Sequence, residues 1–471
     1  MQLFRRVLAI ATVVVVLLCG GGAALVGWAW NRTAFSTAGE VQFANPLAIP
    51  PLAPSRIDAG GQRVFELRAG TGRHDFGDGP VETWGFNGAY LGPTLRAERG
   101  EQVRINVHNG LSETTSVHWH GMHVPARMDG GPHQPIEPGQ TWSPSWTIDQ
   151  PAATLWYHPH PHGATARHVY RGLAGMFILD DPEADALDLP HEYGVDDLPV
   201  IVQDKRFAGR RVDESAPFLS GVGILGRTIA VNGTVGPYRT VTTERVRLRL
   251  LNASNARVYN FGFVDDREFA LVGTDGGLLA APYETDRVRL SPGERAEIVV
   301  TMRAGERAVL RSRPPPLGAP FGRFSGGSDT FDILELRAAD SLTPSPPVPE
   351  RLVDVPVLGP STRAVQRDFR LSGTSINGRE MNMSRVDAVV EKGITEVWRV
   401  TNEDGMPHSF HIHDVQFQVR SVDGAPPPPQ LRGWKDTVYL PPGRPFELVV
   451  PFGDYTDPDT PYMFHCHVLR H

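Results

Sequence analysis

Histidine pairs of the form His-x-His are the feature of this sequence that points most directly to chemistry. The pair occurs five times, whereas 17 histidines spread evenly over 471 residues would give fewer than about one. Residues i and i+2 of a β-strand point to the same face and lie roughly 6.6 Å apart. Two such imidazoles can therefore bind two neighbouring metal ions, or hold a metal cluster from one side. The five pairs are residues 118 and 120, 158 and 160, 160 and 162, 411 and 413, and 465 and 467.

Cys466 lies directly between His465 and His467, with His408 before it and His471 five residues after it. One thiolate with two imidazoles is the ligand set of a blue-copper electron-transfer site, whereas zinc sites more often use Cys-x-x-Cys spacing, which this sequence lacks. Adjacent residues of a strand point to opposite faces, so the flanking histidines cannot all bind the same metal as the cysteine. The segment therefore predicts a connection between two metal sites, along which the thiolate passes electrons through a few covalent bonds.

The composition is that of a β-rich globular protein. Hydrophobic residues make up 40% of the chain and charged residues 21%, which excludes disorder and coiled coil. The 49 glycines and 42 prolines are spread aperiodically, which favours many short strands joined by turns. A net charge of −7 offers no electrostatic footprint for nucleic acid. The second cysteine, Cys19, lies in an N-terminal apolar run, so no disulfide is expected in the globular part.

Arg5 and Arg6 precede an uncharged, largely apolar run over residues 7–30. Its 24 residues exceed the about 7–15 of a signal-peptide core and reach the length of a membrane span. Basic residues before a span stay cytoplasmic, so we expect residues 1–40 to anchor the protein and the rest to be exported. The alternative is a cleavable export signal, cut near residues 36–38, which would leave a secreted or periplasmic protein.

One pattern occurs three times along the chain. An Asn-Gly pair at 87–88, 232–233 and 377–378 leads into a segment of alternating apolar and polar residues, and a Pro-Gly pair follows later at 138–139, 292–293 and 442–443. The copies start about 145 residues apart. An acidic stretch over 180–197 and a Pro-rich linker over 342–350 separate them. We therefore predict an all-β fold of three consecutive β-sandwich or barrel domains over residues 41–182, 190–340 and 350–471.

Four segments resemble the four copper motifs of multicopper oxidases, in particular the three-domain bacterial branch of copper-resistance oxidases, spore-coat laccases and bilirubin oxidases. The segments are His118-Trp119-His120-Gly121, Trp156-Tyr157-His158-Pro159-His160, His408-Ser409-Phe410-His411-Ile412-His413 and His465-Cys466-His467-Val468-Leu469-Arg470-His471. The resemblance extends to residues 172–175 and 433–437. It implies three cupredoxin-like Greek-key domains, and it implies that the second domain, which has no histidine after His191, is a spacer.

The resemblance also implies roles for individual residues. It assigns His408, Cys466 and His471 to a type 1 blue copper, and His118 and His411 to a type 2 copper. The type 3 copper pair takes His120, His158, His160, His413, His465 and His467. The cofactor is then four copper ions per chain, one type 1, one type 2 and two type 3.

Two carboxylates lie near these motifs. The family places an acid at the position of Asp129 to relay protons for O₂ reduction, although Asp-Gly by itself would indicate an ordinary turn. Asp404 precedes His408 by four residues and is expected at the mouth of the blue-copper site, with a solvated loop acid as the alternative.

The sequence departs from the family pattern at two places. It stops at His471, so the axial position expected ten residues after the cysteine is not represented, and we expect the third domain to be incomplete. The long Met- and His-rich insertion of copper-resistance oxidases is also missing, because the corresponding stretch over 370–383 is short and has only Met381 and Met383.

Taken together, the sequence predicts an exported, membrane-tethered and monomeric oxidase that takes single electrons from phenols and aromatic amines and reduces O₂ to water. Oxidation of Cu(I) is expected to be secondary, since only Met381, Met383 and Met406 supply soft thioethers near plausible entrances. The alternatives are a cuprous oxidase for copper detoxification, a copper nitrite reductase, and a non-catalytic envelope protein that keeps the cupredoxin fold.

Overall fold

The structure, a computed structural model, describes residues 33–217, 220–362, 365–453 and 455–471. Strands account for 44% of it and helices for 5%, which confirms the predicted all-β class. The apolar run over residues 7–30 lies outside the described residues. Among the residues that are described, no helix has the length and apolar character needed to cross a membrane.

The strands are numbered in chain order and fall into three blocks along the chain, one for each domain, although β1 of the first block joins a sheet of the second domain. The first block is β1 Asn45–Pro46, β2 Ser55–Ile57, β3 Arg63–Asp75, β4 Pro80–Phe86, β5 Leu95–Glu98, β6 Gln102–Asn109, β7 His118–His120, β8 Thr141–Trp142, β9 Ser145–Thr147, β10 Ala153–His158 and β11 Gly175–Asp180. The second block is β12 Asp197–Lys205, β13 Thr228–Val231, β14 Thr234–Val235, β15 Pro237–Thr243, β16 Arg245–Asn252, β17 Tyr259–Phe263, β18 Phe269–Thr274, β19 Gly277–Thr285, β20 Val288–Leu290, β21 Arg295–Thr301, β22 Arg307–Ser312 and β23 Phe331–Thr343. The third block is β24 Gln366–Ser372, β25 Ser375–Ile376, β26 Ile394–Asn402, β27 His408–Ile412, β28 Gln418–Val422, β29 Thr437–Leu440, β30 Phe446–Phe452 and β31 Phe464–Cys466. The helices are α1 Thr165–Arg171 and α2 Pro182–Asp185, with 3₁₀ turns at Ala126–Met128, Gly322–Ser325 and Pro429–Leu431.

Within the described residues the strands form six sheets, two for each domain. The first domain has the orders β2-β3-β6-β8 and β5-β11-β10-β7, and the second has β14-β13-β12-β16-β21-β18-β19 and β1-β15-β23-β22-β17-β20. The third has β25-β24-β26-β30-β28 and β29-β27-β31. Each domain has its own apolar core between its sheets, and the three cupredoxin-like domains confirm the predicted architecture. The predicted domain boundaries stay predictions. One strand crosses them: β1, which lies within the residues predicted for the first domain, pairs with β15 of the second domain.

The asparagine of each Asn-Gly pair fixes the same local structure in all three domains. Asn87, Asn232 and Asn377 have positive φ angles of 56°, 49° and 53°, which asparagine tolerates better than most residues. Each side-chain Oδ1 accepts a hydrogen bond from a backbone N–H of the neighbouring strand. The donors are Arg68, Ile201 and Arg370.

A second asparagine in each repeat holds the loop that follows it. The side-chain amides of Asn109, Asn252 and Asn402 each donate to two carbonyls, and each backbone carbonyl accepts the N–H of the Pro-Gly glycine. The side-chain acceptors are Glu113 and Ile136, Arg257 and Leu290, and Met406 and Leu440. The glycines are Gly139, Gly293 and Gly443. In the third domain this device fixes the loop that leads directly into His408.

Four strands in two antiparallel pairs bring the copper motifs together. β7 pairs with β10, so that His118 lies opposite His158. β27 pairs with β31, so that His411 lies opposite His465. The first pair belongs to the first domain and the second pair to the third domain, so the centre lies where these two domains meet.

A buried lysine joins the first domain to the second. Lys205, the last residue of β12, is 1% exposed, and its Nζ donates to the backbone oxygen of Tyr170 in α1. The same nitrogen lies 4.5 Å from the centroid of the Tyr170 ring. Burial lowers the pKa of Lys205 to about 7, although the neighbouring Asp204 acts in the opposite direction. The folded protein therefore loses this proton at a lower pH than the unfolded chain does.

We predict that Lys205→Met removes a pH dependence of stability. The pKa of Lys205 is about 7 in the folded protein and 10.5, the ordinary lysine value, in the unfolded chain. Between these two pH values the unfolded chain keeps the proton on Lys205 that the folded protein has released. The free energy of unfolding should therefore rise with pH by up to about 1.4 kcal/mol per pH unit. Denaturant unfolding at pH 7 and pH 9 measures this rise, which Lys205→Met should lack and the exposed-site control Lys392→Met should keep. Equal pH dependence in wild type and Lys205→Met would contradict the prediction.

Candidate metal centre

The side chains that the sequence predicts as metal ligands lie in four groups, in each of which the donor atoms are within 4.8 Å of one another. Three groups consist of histidines alone, and the fourth contains the cysteine. The groups are His118, His411 and His413; His120, His158 and His467; His160, His413 and His465; and His408, Cys466 and His471. A fifth group adds a carboxylate, Asp436, to His120 and His411.

In the histidine groups the rings face one another through nitrogen atoms at short distances. The Nε2 atoms of His118 and His411 are 3.4 Å apart, and Nε2 of His465 lies 3.1 Å from Nε2 of both His160 and His413. Burial, reinforced by neighbouring imidazoles, lowers the pKa of most of these rings well below 6.5. These rings are His120, His158, His160, His411, His413 and His467. They are therefore neutral, the form of imidazole that binds a metal.

The outward nitrogen of most rings is held by the protein, which leaves the inward nitrogen for a metal. The Nδ1–H groups of His118, His158, His411 and His465 donate to backbone carbonyls, and that of His413 donates to a carboxylate oxygen of Asp129. The acceptors on the backbone are Asp129, Pro159, Asp436 and Cys466, at 2.8–3.0 Å. Both ring nitrogens of His467 are buried without a hydrogen-bond partner. Clustered neutral imidazoles with fixed tautomers fit copper ions.

The fourth group has a different electrostatic character. Nδ1 of His408 is 3.3 Å from the Cys466 sulfur, and Nδ1 of His471 is 3.6 Å from it. Burial raises the pKa of the Cys466 thiol, but the two imidazoles outweigh burial and lower it to about 5. A soft thiolate with two imidazoles fits a blue copper. The neighbours of the cysteine, His465 and His467, belong to two different histidine groups.

Asp129 lies under the histidine groups. It is 2% exposed, and its Oδ2 accepts the Nδ1–H of His413 at 2.8 Å. Its Oδ1 is 3.3 Å from Nδ1 of His118 and has no hydrogen-bond partner. The next residue, Gly130, has φ of +76°, and a Cβ there would come within 1.7 Å of the Val117 oxygen. This close approach holds the carboxylate against the rings.

Asp404 lies at the blue group and is partly exposed. Its Oδ2 accepts from Nε2 of His408 at 3.1 Å and from the N–H of Gly373, and its Oδ1 accepts from the N–H of Met406 at 2.7 Å. Burial raises the pKa of Asp404, but these donated hydrogen bonds outweigh it and the pKa is lowered. The carboxylate is therefore ionised at neutral pH.

The other histidines near the motifs belong to none of the groups. His123 contacts Asp414 at 2.8 Å, His168 contacts Glu113 at 2.6 Å, and Nε2 of His133 lies 3.1 Å from the backbone oxygen of Met383. His162 is exposed.

Sequence reasoning missed Asp436 and Thr437 as functional residues. Nε2 of His120 lies 3.0 Å from both Oδ1 of Asp436 and Oγ1 of Thr437. In the sequence, the two residues stand out only as part of the segment 433–437 that resembles the family. No spacing rule signals this contact, because 316 residues separate His120 from Asp436.

Comparison with known proteins relates this chain to multicopper oxidases. Three family models, each described as multicopper oxidase, match residues 69–184, 202–308 and 352–471. The cell division protein FtsP of Xenorhabdus nematophila is 40% identical over 435 residues, which cover 90% of this chain and 89% of that protein. The multicopper oxidase mco of Staphylococcus haemolyticus is 35% identical, with 91% of each chain covered.

Among solved structures, the laccase-like multi-copper oxidase CueO of Ochrobactrum sp. is similar with a TM-score of 0.83 and 35% identity. The match covers 90% of this chain and 97% of that one. Copper is the cofactor of this fold, in a standard arrangement of four ions. The chain belongs to the multicopper oxidase family and is an oxidoreductase.

Proposed function

We propose that this oxidase couples one-electron oxidation of phenols and aromatic amines to the four-electron reduction of O₂ to water. The observation that carries the proposal is the position of Cys466, which lies in the thiolate group while its two neighbours lie in two histidine groups. Copper accepts and releases single electrons, so four ions can store the electrons that one O₂ requires. The peptide from His465 to His467 provides the short covalent route between the two sites.

The geometry supports the following ligand assignment. His408, Cys466 and His471 hold the blue type 1 copper, and His118 and His411 hold the type 2 copper. The type 3 pair is held by two groups of three histidines, His120, His158 and His467, and His160, His413 and His465.

On the substrate side, Asp404 is suited to accept a proton. Phenols release a proton when they lose an electron, and an ionised carboxylate in contact with a blue-copper histidine can take it up. The side chain of Asp404 is 19% exposed while that of His408 is fully buried, so a substrate reaches the histidine past the carboxylate. On the oxygen side, Asp129 has a free carboxylate oxygen directed at the histidine groups and is suited to deliver protons.

Two other functions have some support. Met406 beside His408 could take part in Cu(I) oxidation, which we place second because few thioethers surround the site. A non-catalytic role is the other alternative, because one relative is named as a cell division protein. All eleven side chains predicted as metal ligands lie in the four groups, with the donor atoms of each group within 4.8 Å of one another, which favours the oxidase. Export, tethering through residues 1–40 and a monomeric state complete the proposal.

The ligand assignment predicts the effect of Cys466→Ser. The wild-type protein should bind four copper ions per chain and be blue. The variant should lose its colour but keep its type 2 and type 3 copper, because the eight histidines of those sites are untouched. Metal analysis with visible and electron paramagnetic resonance spectra measures this. Loss of all copper together would contradict the partition into separate sites.

The proton role of Asp129 predicts that Asp129→Asn slows reoxidation of the reduced enzyme by O₂ by about 10²-fold or more. Anaerobic reduction of the blue copper by substrate should stay nearly unchanged, since that site is separate. Stopped-flow measurement of both half-reactions tests this. Equal slowing of the two would indicate a misfolded turn and not a lost proton donor.

The proton role of Asp404 predicts that Asp404→Ala lowers kcat/KM for a dimethoxyphenol more than for ferrocyanide, which releases no proton. We expect a difference of about tenfold or more. Glu403→Ala, an exposed neighbour without a contact to His408, serves as the control.

Steady-state oxidation of Cu(I) on the same preparation decides the substrate class. A strong preference for Cu(I), or no phenol oxidation without added copper, would favour copper detoxification instead.

A further inference from the structure

Arg295, at the start of β21, is a fully buried cation in the second domain, which supplies no predicted metal ligand. Each N–H of its guanidinium has an acceptor. Nε donates to the backbone oxygen of Thr154 at 2.9 Å, and the two terminal nitrogens donate to the backbone oxygens of Gly293 and Asp275 at 3.0 and 2.9 Å. The remaining two N–H groups donate to the two carboxylate oxygens of Asp436, at 2.8 and 2.6 Å. The guanidinium is therefore fixed as a rigid fork.

Asp436 lies between this fork and two of the histidines. Its Oδ1 accepts the Nε2–H of His120 at 3.0 Å, and its backbone oxygen accepts the Nδ1–H of His411 at 2.9 Å. Thr437 adds a hydroxyl within 3.1 Å of both rings. One short segment of the third domain thus holds a histidine from each of two groups.

His120 differs from most of the other rings in the nitrogen that it turns inward. The rings of His118, His158, His411 and His465 bond to the protein through Nδ1 and turn Nε2 toward the centre. His120 instead bonds through Nε2, and its Nδ1 lies 3.4 Å from Nε2 of His158. A ring that presents Nδ1 to the centre has its Nε2–H on the opposite side, where it needs a hydrogen-bond acceptor. Asp436 is that acceptor.

The charges around Asp436 show why it needs Arg295. Five charged side chains are buried together: Asp275, Glu294, Arg295, Lys435 and Asp436. Lys435 is shared between Asp275 and Glu294, at 2.9 and 2.8 Å, so Arg295 is the cation in direct contact with Asp436. A buried carboxylate without its partner is strongly destabilised.

The residue after His120 is shaped to fit this pair. Gly121 has φ of +86°, and a Cβ at this position would lie 2.5 Å from Oδ2 of Asp436 and 2.6 Å from a terminal nitrogen of Arg295. The first domain therefore packs its own backbone against the ion pair formed by the other two domains.

We infer that Arg295 is a positioning residue for the copper cluster: it fixes Asp436, which holds His120 with Nδ1 toward the metal and anchors His411. The second domain then shapes the metal site without supplying a ligand. This inference rests on the proposed assignment of His120 and His411 as copper ligands.

The test compares copper-loaded wild-type protein with Arg295→Lys, which keeps the charge and loses the fork. We expect the copper affinity of the cluster to fall about 10–100-fold, the range for loss of partners that orient ligands. The near-ultraviolet absorption of the coupled copper pair should weaken and the type 2 resonance should change. The visible band of the blue copper, whose ligands do not contact this network, should stay as in wild type.

Arg257→Lys is the matched control. Arg257 is another buried arginine of the second domain, paired with Asp204 and Asp329, and it contacts no histidine. The Arg257→Lys variant should lose an ion-pair geometry comparable to that of Arg295. It should keep the absorption and resonance signals of the copper cluster and the visible band of the blue copper.

Asp436→Asn, which preserves volume, keeps the inference testable if Arg295→Lys does not fold, and it should show the same selective loss. Wild-type cluster signals in either folded variant, or an equal loss in Arg257→Lys, would overturn the role of Arg295. A wild-type protein that binds blue copper but no cluster copper would instead overturn the ligand assignment and this inference with it.

Discussion

The metal centre depends on one constraint: most of its buried imidazoles bond to the protein through one ring nitrogen, which leaves the other nitrogen without a proton for a metal. Backbone carbonyls at Asp129, Pro159, Asp436 and Cys466 and the carboxylates of Asp129 and Asp436 supply these bonds. The strands bring the rings together, but for most of the rings the acceptors decide which nitrogen faces the centre. The segments that carry the acceptors are therefore as much a part of the site as the strands that carry the ligands.

Two sites of different electrostatic character lie side by side: the histidine groups where the first and third domains meet, and the thiolate group within the third domain. Burial keeps most imidazoles of the histidine groups neutral, and carboxylates border these groups on two sides. In the thiolate group the charges stabilise one another, so that the pKa of Cys466 falls to about 5 while that of His408 rises to about 9 against the effect of burial. A negatively charged sulfur donor thus adjoins a cluster of neutral donors, with a single peptide segment between them.

The strand alternation around Cys466 and the three Asn-Gly repeats could be predicted from the sequence because both depend on local geometry. Strand alternation places Cys466 on the face opposite its two neighbours, and the asparagines of the three Asn-Gly pairs form the same turn with positive φ. The network of Arg295 and Asp436 could not be predicted, since it joins side chains 141 residues apart through a fit of three domains. The reversed ring of His120 depends on that network and has no sequence signal either.

The second asparagine of each repeat shapes its loop in the same way whether or not the domain carries predicted metal ligands. Asn252, in the domain without predicted metal ligands, makes the same three backbone contacts as Asn109 and Asn402 in the other two domains. The loops are thus shaped by amide hydrogen bonds, unlike those of a zinc finger, whose fold forms only around its ion. The shape of this loop is thus a property of the polypeptide itself, and it does not require a metal ligand in the same domain.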